Sequence, residues 1–285
     1  MYKLKPSISL RYFGLKWLDD GKYQITQEDK EFEHYLSLMK DSGFEAIELV
    51  SAGCWNKQEE EANFPFITEA VKKIKDSGLT FQSVHIPFSL PWWDFAAIDE
   101  NQRRLAIDTY KWAVDSFKGD LPNLFVIHPG ERPKTPEERP YKLENLAKSM
   151  LELCEFSPRP VCVENMVNQG LLNKISEAKD LLNAVPKLNM TIDINHSLLQ
   201  KPEEYIAEIG SRVKNLHISD NDGTDERHWL PGKGIINFNA ILSTLEKVGY
   251  NGTFNYEVGL AKNGLTPKDV KDNFDKLFSD YNNLK

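Results

Sequence analysis

The residues able to do chemistry in this chain recur at one kind of place, the end of a short apolar run. His85 closes "TFQSVH", His128 closes "NLFVIH", Glu164 closes "PVCVE" and Asp193 closes "NMTID", with His196 three residues on. His217 closes "VKNLH" and Glu257 closes "GTFNYE". The loop after His217 adds Glu226 and His228, so of 6 histidines only His34 lies elsewhere, in a helical pattern. Carboxylates gathered at the ends of apolar strands repel one another in a half-buried cup. They must be protonated, paired or bound to a cation. Neutral imidazoles and carboxylates converging from several strands are a ligand set for one hard-to-borderline divalent ion such as Mn²⁺, Co²⁺, Mg²⁺ or Zn²⁺. A single histidine at a strand end is ordinarily a hydrogen-bonded wall residue. Core packing gives no reason for the whole set.

Elements that could bring these groups together are legible around them. Eight β-branched or aromatic runs, "SISLRYF", "FEAIELV", "TFQSVHIP", "NLFVIHPG", "PVCVENM", "NMTIDIN", "VKNLHIS" and "GTFNYEV", have the length of buried parallel strands. Amphipathic stretches separate them. "EDKEFEHYLSLMKDSG" puts Phe32, Tyr35, Leu36 and Met39 on one stripe, and "NFPFITEAVKKIKDSG" does the same with Ile67, Ala70, Val71 and Ile74. Glycines Gly43 and Gly78 stop both. Strands alternating with helices specify a parallel sheet with right-handed crossovers. Eight such units in 285 residues point to one α/β domain over residues 1–285, a closed (β/α)₈ TIM barrel. No Gly-x-Gly-x-x-Gly follows the first strand, which argues against a dinucleotide-binding open sheet. In such a barrel the C-terminal strand ends form the active mouth.

Bulk properties narrow the class. The net charge of −8 disfavours a protein living on nucleic acid or an anionic membrane. Three cysteines, Cys54, Cys154 and Cys162, with no Cys-x-x-Cys pair, speak for a reducing compartment and against a zinc knuckle. No stretch has the length of a signal peptide or a membrane span, so the expected location is the cytoplasm. Glu59, Glu60 and Glu61 form an acidic run in one rim loop that would repel phosphates. In another, Trp92 and Trp93 follow Pro91 above His85, as a flat wall for sugar C–H faces or as packing under the next helix. Aromatic rim loops of this kind would also suit a homo-oligomer. The "PGKG" turn, with Gly232, Lys233 and Gly234, sits where barrels often bind phosphate, though an ordinary turn with an exposed lysine is the simpler reading.

Taken in order, "VHIPF", "VIHPG", "VCVENM", "IDINHS", "LHISD", "RHWLPGKG" and "GTFNYEV" make the whole chain resemble the xylose isomerase-like barrel superfamily. That superfamily includes sugar phosphate isomerases and epimerases and nucleases of the endonuclease IV type. The resemblance to ketose 3-epimerases implies one metal held by Glu164, Asp193, His217 and Glu257, with His196 on the substrate. The nuclease branch implies up to three zinc ions, adding His85, His128, His196 and His228 as ligands. Its aspartate ligand corresponds here to Glu226, a departure that changes the reach of the side chain.

Two chemistries follow. In the first, a metal-dependent isomerase or epimerase acts on a sugar or sugar phosphate through an enediolate stabilised by the cation. Glu164 and Glu257 are then the acid/base pair, and His85, His128, His196, Arg227, His228 and Trp92 line the substrate. A dehydratase would use the same logic. In the second, a zinc phosphodiesterase cleaves abasic DNA, which would require basic and apolar insertions to grip a duplex. A catalytically silent barrel serving as a binding module is a third reading. It is disfavoured by the electrostatic cost of so many convergent acids without a cation.

Overall fold

The computed structural model describes residues 1–11, 15–17, 23–25, 29–50, 60–88, 90, 92–117 and 119–285. The acidic run at Glu59–Glu61, Pro91 and Cys54 fall at positions whose placement or side chains lie outside this description. Eight parallel strands, β1 (Lys5–Arg11), β4 (Ala46–Val50), β5 (Thr80–His85), β6 (Leu124–Ile127), β7 (Val161–Glu164), β8 (Asn189–Asp193), β9 (Val213–His217) and β10 (Thr253–Tyr256), follow one another around a barrel. Eight helices surround it: α1 (Asp29–Asp41), α2 (Glu60–Ser77), α3 (Glu100–Ser116), α4 (Glu138–Phe156), α5 (Ile175–Ala184), α6 (Pro202–Ile209), α7 (Phe238–Lys247) and α8 (Pro267–Asn283). The chain is a (β/α)₈ TIM barrel, as its alternating pattern requires. Sequence patterning did not reveal the short antiparallel pair β2 (Leu15–Trp17) and β3 (Tyr23–Ile25), which follows β1. Three-residue strands are too short to show a period.

The barrel closes between β9 and β10 through one parallel bridge, Ile218 to Tyr256. There the Ile218 amide donates to the Asn255 carbonyl (2.9 Å) and the Glu257 amide donates to Ile218 (3.0 Å). This seam ties the backbone of Glu257 to the residue directly after His217.

Strand alternation sorts the side chains. Outward-facing Phe254 packs edge-on against Phe274 and Phe278 of α8, at 5.9 and 5.4 Å between ring centroids. Apolar residues of this outer layer, among them Val84, Phe125, Val163, Ile192 and Leu216, are buried against the helices. Several inward positions are polar instead. Ser83, Thr191, Asn215 and Asn255 each lie two residues before a rim residue (His85, Asp193, His217 and Glu257) and thus one layer below it on the same face. Strand pairing sets Glu48 level with Ser9 on one side and Ser83 on the other, beside a register shift between Ile47 and Glu48. The barrel therefore has a polar floor under a ring of ionisable side chains.

Helix ends are fixed locally. Thr266 and Asp269 form a capping box at α8. The Asp99 side chain accepts from the Gln102 amide at 2.9 Å to start α3. Gly43 and Gly78, with φ of +92° and +77°, end α1 and α2.

Candidate metal centre at the C-terminal mouth

Glu164 is the hub of the mouth. Its Oε1 lies 3.3 Å from His196 Nδ1 and 3.2 Å from His217 Nδ1; its Oε2 lies 3.2 Å from His85 Nε2 and 3.3 Å from His128 Nε2. Burial pushes this carboxyl up, but the charges of His217 and His128 and the surrounding hydrogen bonds outweigh that effect. They hold it well below the usual carboxylate range. Glu257 approaches the same imidazole, with Oε2 3.2 Å from His217 Nδ1. It is the most open of these acids, its side chain a quarter exposed (25%) against 1% for Glu164. Burial raises the Glu257 carboxyl, and the neighbouring Asp193 and Glu164 charges add to the shift.

Asp193 is aimed by its neighbours. The Asn165 side chain donates to the Asp193 carbonyl (2.9 Å) and accepts from the Asp193 amide (2.8 Å), extending the strand with a side chain. Asp193 Oδ1 accepts from the amides of Asn195 (2.7 Å) and His196 (3.3 Å). Its Oδ2 is buried without a hydrogen-bond partner. His196 Nε2 lies 3.4 Å from that oxygen but closer, at 2.8 Å, to Glu226 Oε2. Burial raises the Asp193 carboxyl, and the adjacent Glu164 charge raises it further.

The imidazoles respond in kind. Burial alone would lower His217, but the carboxylates of Glu48, Glu164 and Glu257 push it well above the ordinary histidine value. His196 is raised in the same way against its burial, mainly by Asp193 and its bonds to Glu164 and Glu226. His128 is lowered, because burial prevails. His228 is raised to about 9 despite burial, by Glu226 and the Asp193 and Glu257 charges. Its backbone is left-handed (φ +52°), an uncommon conformation for a side-chain-bearing residue, and its Nδ1 lies 3.0 Å from the Glu257 carbonyl. Held in this way, the loop after β9 is pinned to the end of β10.

Two groups of donor atoms come within 4.8 Å of one another among the described residues: Glu164, Asp193, His217 and Glu257, and His85, His128 and Glu164. Ligands at 2.0–2.3 Å from a shared ion lie at most about 4–4.6 Å apart, so this spacing suits a common cation. Three carboxylates and one imidazole form a hard-to-borderline donor set. The buried, unpartnered Asp193 Oδ2 is the acceptor such an ion would satisfy. The residues present fit a divalent metal.

Other sequence-stated candidates are placed less directly. Arg227 Nε lies 2.7 Å from Asp222 Oδ2, so its guanidinium is tied down within its own loop. Trp92 is partly buried and packs against the core. Lys233 is exposed. The amides around it point elsewhere, since Gly232 and Gly234 both donate to Asp220 Oδ2 at 2.8 Å, and Ile236 donates to Oδ1 at 3.2 Å. Gly234 is required for this close approach, because a Cβ there would meet the Asn221 carbonyl oxygen at 2.0 Å. Phe88, unnoticed in the sequence, stacks on His128 at 4.5 Å and is 46% exposed, putting an aromatic face at the mouth.

Glu48 also escaped the sequence reading. It is fully buried in the floor, where Ser9 Oγ (2.8 Å), Ser83 Oγ (2.7 Å), Asn215 Nδ2 (3.0 Å) and Asn255 Nδ2 (3.2 Å) all donate to it. His217 Nε2 lies 2.9 Å from its Oε1, a close contact whose angle falls short of a well-aligned hydrogen bond. Burial pushes the Glu48 carboxyl up, but the His217 charge and hydrogen bonding, the His85 charge and the Ser83 hydroxyl hold it down at about 2. The available signal was an acid in the middle of "AIELV", a run buried on both faces.

Fold and mouth together define a class of protein, and the chain's relatives agree. Residues 36–277 match the model of the xylose isomerase-like TIM barrel family, and the chain belongs to it. Fructoselysine 3-epimerase of Shigella flexneri is 24% identical over 254 residues, covering 81% of this chain and 87% of that protein. A probable endonuclease 4 of Aster yellows witches'-broom phytoplasma is 21% identical over 248 residues, covering 79% and 84%. The crystal structure of a D-tagatose 3-epimerase-like protein superposes with a TM-score of 0.73 at 20% identity, covering 98% of this chain and 99% of that one. At that identity the superposition establishes the fold.

Proposed function

We propose that this protein is a divalent-metal-dependent ketose epimerase or isomerase. The observation that carries the reading is the convergence of Glu164, Asp193, His217 and Glu257, with a buried Asp193 oxygen left for a cation. The fructoselysine 3-epimerase relative supports sugar as the substrate class. These four residues would hold the metal. When bound, such an ion supplies Lewis-acid polarisation of a carbonyl and its neighbouring hydroxyl, lowering the pKa of the adjacent C–H.

The protein's own groups do the rest. Glu164 and Glu257 come from different strands to one imidazole nitrogen, each 3.2 Å from His217 Nδ1, and so flank the same small space. One takes the proton from the carbon next to the carbonyl, and the other returns a proton. Delivery to the opposite face of that carbon inverts the centre, while delivery to the former carbonyl carbon, with the neighbouring hydroxyl giving up its proton, moves the carbonyl. Glu257, more open and with its carboxyl raised, is the group best placed to exchange its proton with the mouth. His196 Nε2, which lies 2.8 Å from Glu226 Oε2, would trade that partner for a substrate hydroxyl, His228 Nε2 would take another, and Phe88 gives an apolar wall beside His128.

A second reading, phosphodiester hydrolysis, draws on the His85, His128 and Glu164 group and on the endonuclease relative. Metal analysis of the purified protein separates the two, combined with assays on fructoselysine, tagatose and an abasic duplex. About one metal ion per chain and exchange of the ketose C–H with solvent deuterium support the epimerase. Close to three zinc ions with duplex cleavage and no sugar exchange would overturn it.

A further inference from the structure

We infer that Glu48 is a positioning residue for the metal centre: from the barrel floor it fixes the rotation and tautomer of His217, so that Nδ1 faces the ligand group. The inference rests on the proposed metal reading and concerns a residue outside that ligand set.

Three observations carry it. First, the two ring nitrogens of His217 face different carboxylates. Nε2 lies 2.9 Å from Glu48 Oε1, while Nδ1 lies 3.2 Å from both Glu164 Oε1 and Glu257 Oε2. When Nδ1 gives its lone pair to a cation, the proton must stay on Nε2, the nitrogen that faces the Glu48 carboxylate at 2.9 Å. Second, Glu48 cannot turn away, because donors from Ser9, Ser83, Asn215 and Asn255, on four different strand sides of the barrel, surround its two oxygens. Third, neither residue has access to water: both are 0% exposed, so no solvent molecule can replace this partner of Nε2. A carboxylate behind a ligating imidazole makes the ring a better ligand and restricts its rotation. The hydroxyl and amide donors of the floor keep the Glu48 carboxylate aligned on Nε2.

The test uses the metal-stripped, full-length protein and Mn²⁺ alone, titrated calorimetrically into wild type, Glu48→Gln, Glu48→Asp and Asp193→Asn. Asp193→Asn should remove binding, which locates the ion. Glu48→Gln keeps the size and most hydrogen bonds but loses the charge behind the imidazole, so its Mn²⁺ affinity should fall about 10–100-fold. Glu48→Asp, with the charge restored, should recover part of that loss. In parallel, ¹⁵N-histidine NMR of the Mg²⁺- or Zn²⁺-loaded wild type should show His217 protonated at Nε2, a readout that needs no variant to fold. Unchanged Mn²⁺ affinity in a folded Glu48→Gln, or His217 protonated at Nδ1, overturns the role of Glu48 while leaving the metal reading intact. Failure of wild type to bind Mn²⁺, Mg²⁺ or Zn²⁺ overturns both.

Discussion

Glu48 in the floor and Glu164 at the rim are two buried carboxylates one layer apart, and they are satisfied in opposite ways. The floor acid takes its hydrogen bonds from hydroxyls and amides, which keep their donors at any ordinary pH, and touches one imidazole, His217 Nε2 at 2.9 Å. The rim acid is ringed by four imidazoles, each of which can give up its proton. A cation at the rim would replace imidazole protons there, whereas the hydroxyl and amide hydrogens of the floor are not exchangeable in that way. The difference teaches how one barrel interior can hold a rigid scaffold directly beneath an exchangeable site: the chemistry of the partners, rather than burial, sets the role.

Removing Glu257, the group that handles the proton in the proposed reaction, should have the largest effect. Glu257→Gln is expected to lower turnover on a responsive ketose about 10²–10⁴-fold, with the thermal transition of the protein little changed. Retention of more than a tenth of wild-type turnover would remove Glu257 from the reaction.

The floor and rim acids can next be broken symmetrically. Glu48→Leu takes an acceptor from four donors, three of them on fully buried residues (Ser83, Asn215 and Asn255), at about 1–3 kcal/mol for each left unpaired. That sum rivals the whole stability of a typical domain, roughly 5–15 kcal/mol. Glu164→Leu leaves histidines that can deprotonate. Urea unfolding of the metal-free variants at pH 8 should place Glu48→Leu several kcal/mol below Glu164→Leu, or show it unable to fold. Equal losses would mean that the two acids do not differ in kind.

The contrast also predicts two separate pH limits for the metal-free protein. Glu48 has a folded pKa of about 2, below its ordinary carboxylate value. Its stabilisation is complete above about pH 4.5 and is lost as pH falls toward 2, on the order of 3 kcal/mol. The rim histidines have the opposite sign. His228, raised to about 9, and His196 and His217, both raised well above the ordinary histidine value against their burial, stabilise fully below about pH 6.5. That part fades as pH rises through 9, by about 2 kcal/mol for His228 alone after discounting for its partial exposure. A metal held as proposed would compete with those protons, so the thermal shift on adding Mn²⁺ should grow from pH 6 to pH 9. A shift independent of pH would show that the ion does not displace protons from imidazole.

Much of this arrangement was legible in the sequence, and the limits have physical reasons. The strands announced themselves because their runs are rich in β-branched and aromatic residues and six of them end in ionisable residues. The period of two then put His85, Asp193, His217 and Glu257 above Ser83, Thr191, Asn215 and Asn255. Glu48 was passed over because its partners come from distant strands; "FEAIELV" shows the acid but not the serines and asparagines that would receive it. Arg227 looked like a free substrate ligand because nothing in "DNDGTDERHW" says that Asp222 turns back onto it. The fate of the "PGKG" amides was equally hidden, since Asp220 lies twelve residues before Gly232.

Asp220 sharpens the comparison with the smallest expected effect. Like Glu48 it is fully buried and surrounded by neutral donors, here the amides of Asn221, Gly232, Gly234 and Ile236. It therefore belongs with the scaffold acids although it lies three residues beyond His217. Those amides are the donors a substrate phosphate would need in this sector, and a phosphate arriving there would meet a fixed carboxylate instead. What remains for an anion is the exposed Lys233, and an exposed lysine contributes at most about 1 kcal/mol to a charge pair. Lys233→Ala should accordingly change KM by less than about fivefold, and by the same factor for a ketose and its phosphate ester. A tenfold or larger rise confined to the phosphorylated sugar would show that the turn binds phosphate despite Asp220, and would move that carboxylate from the scaffold to the site.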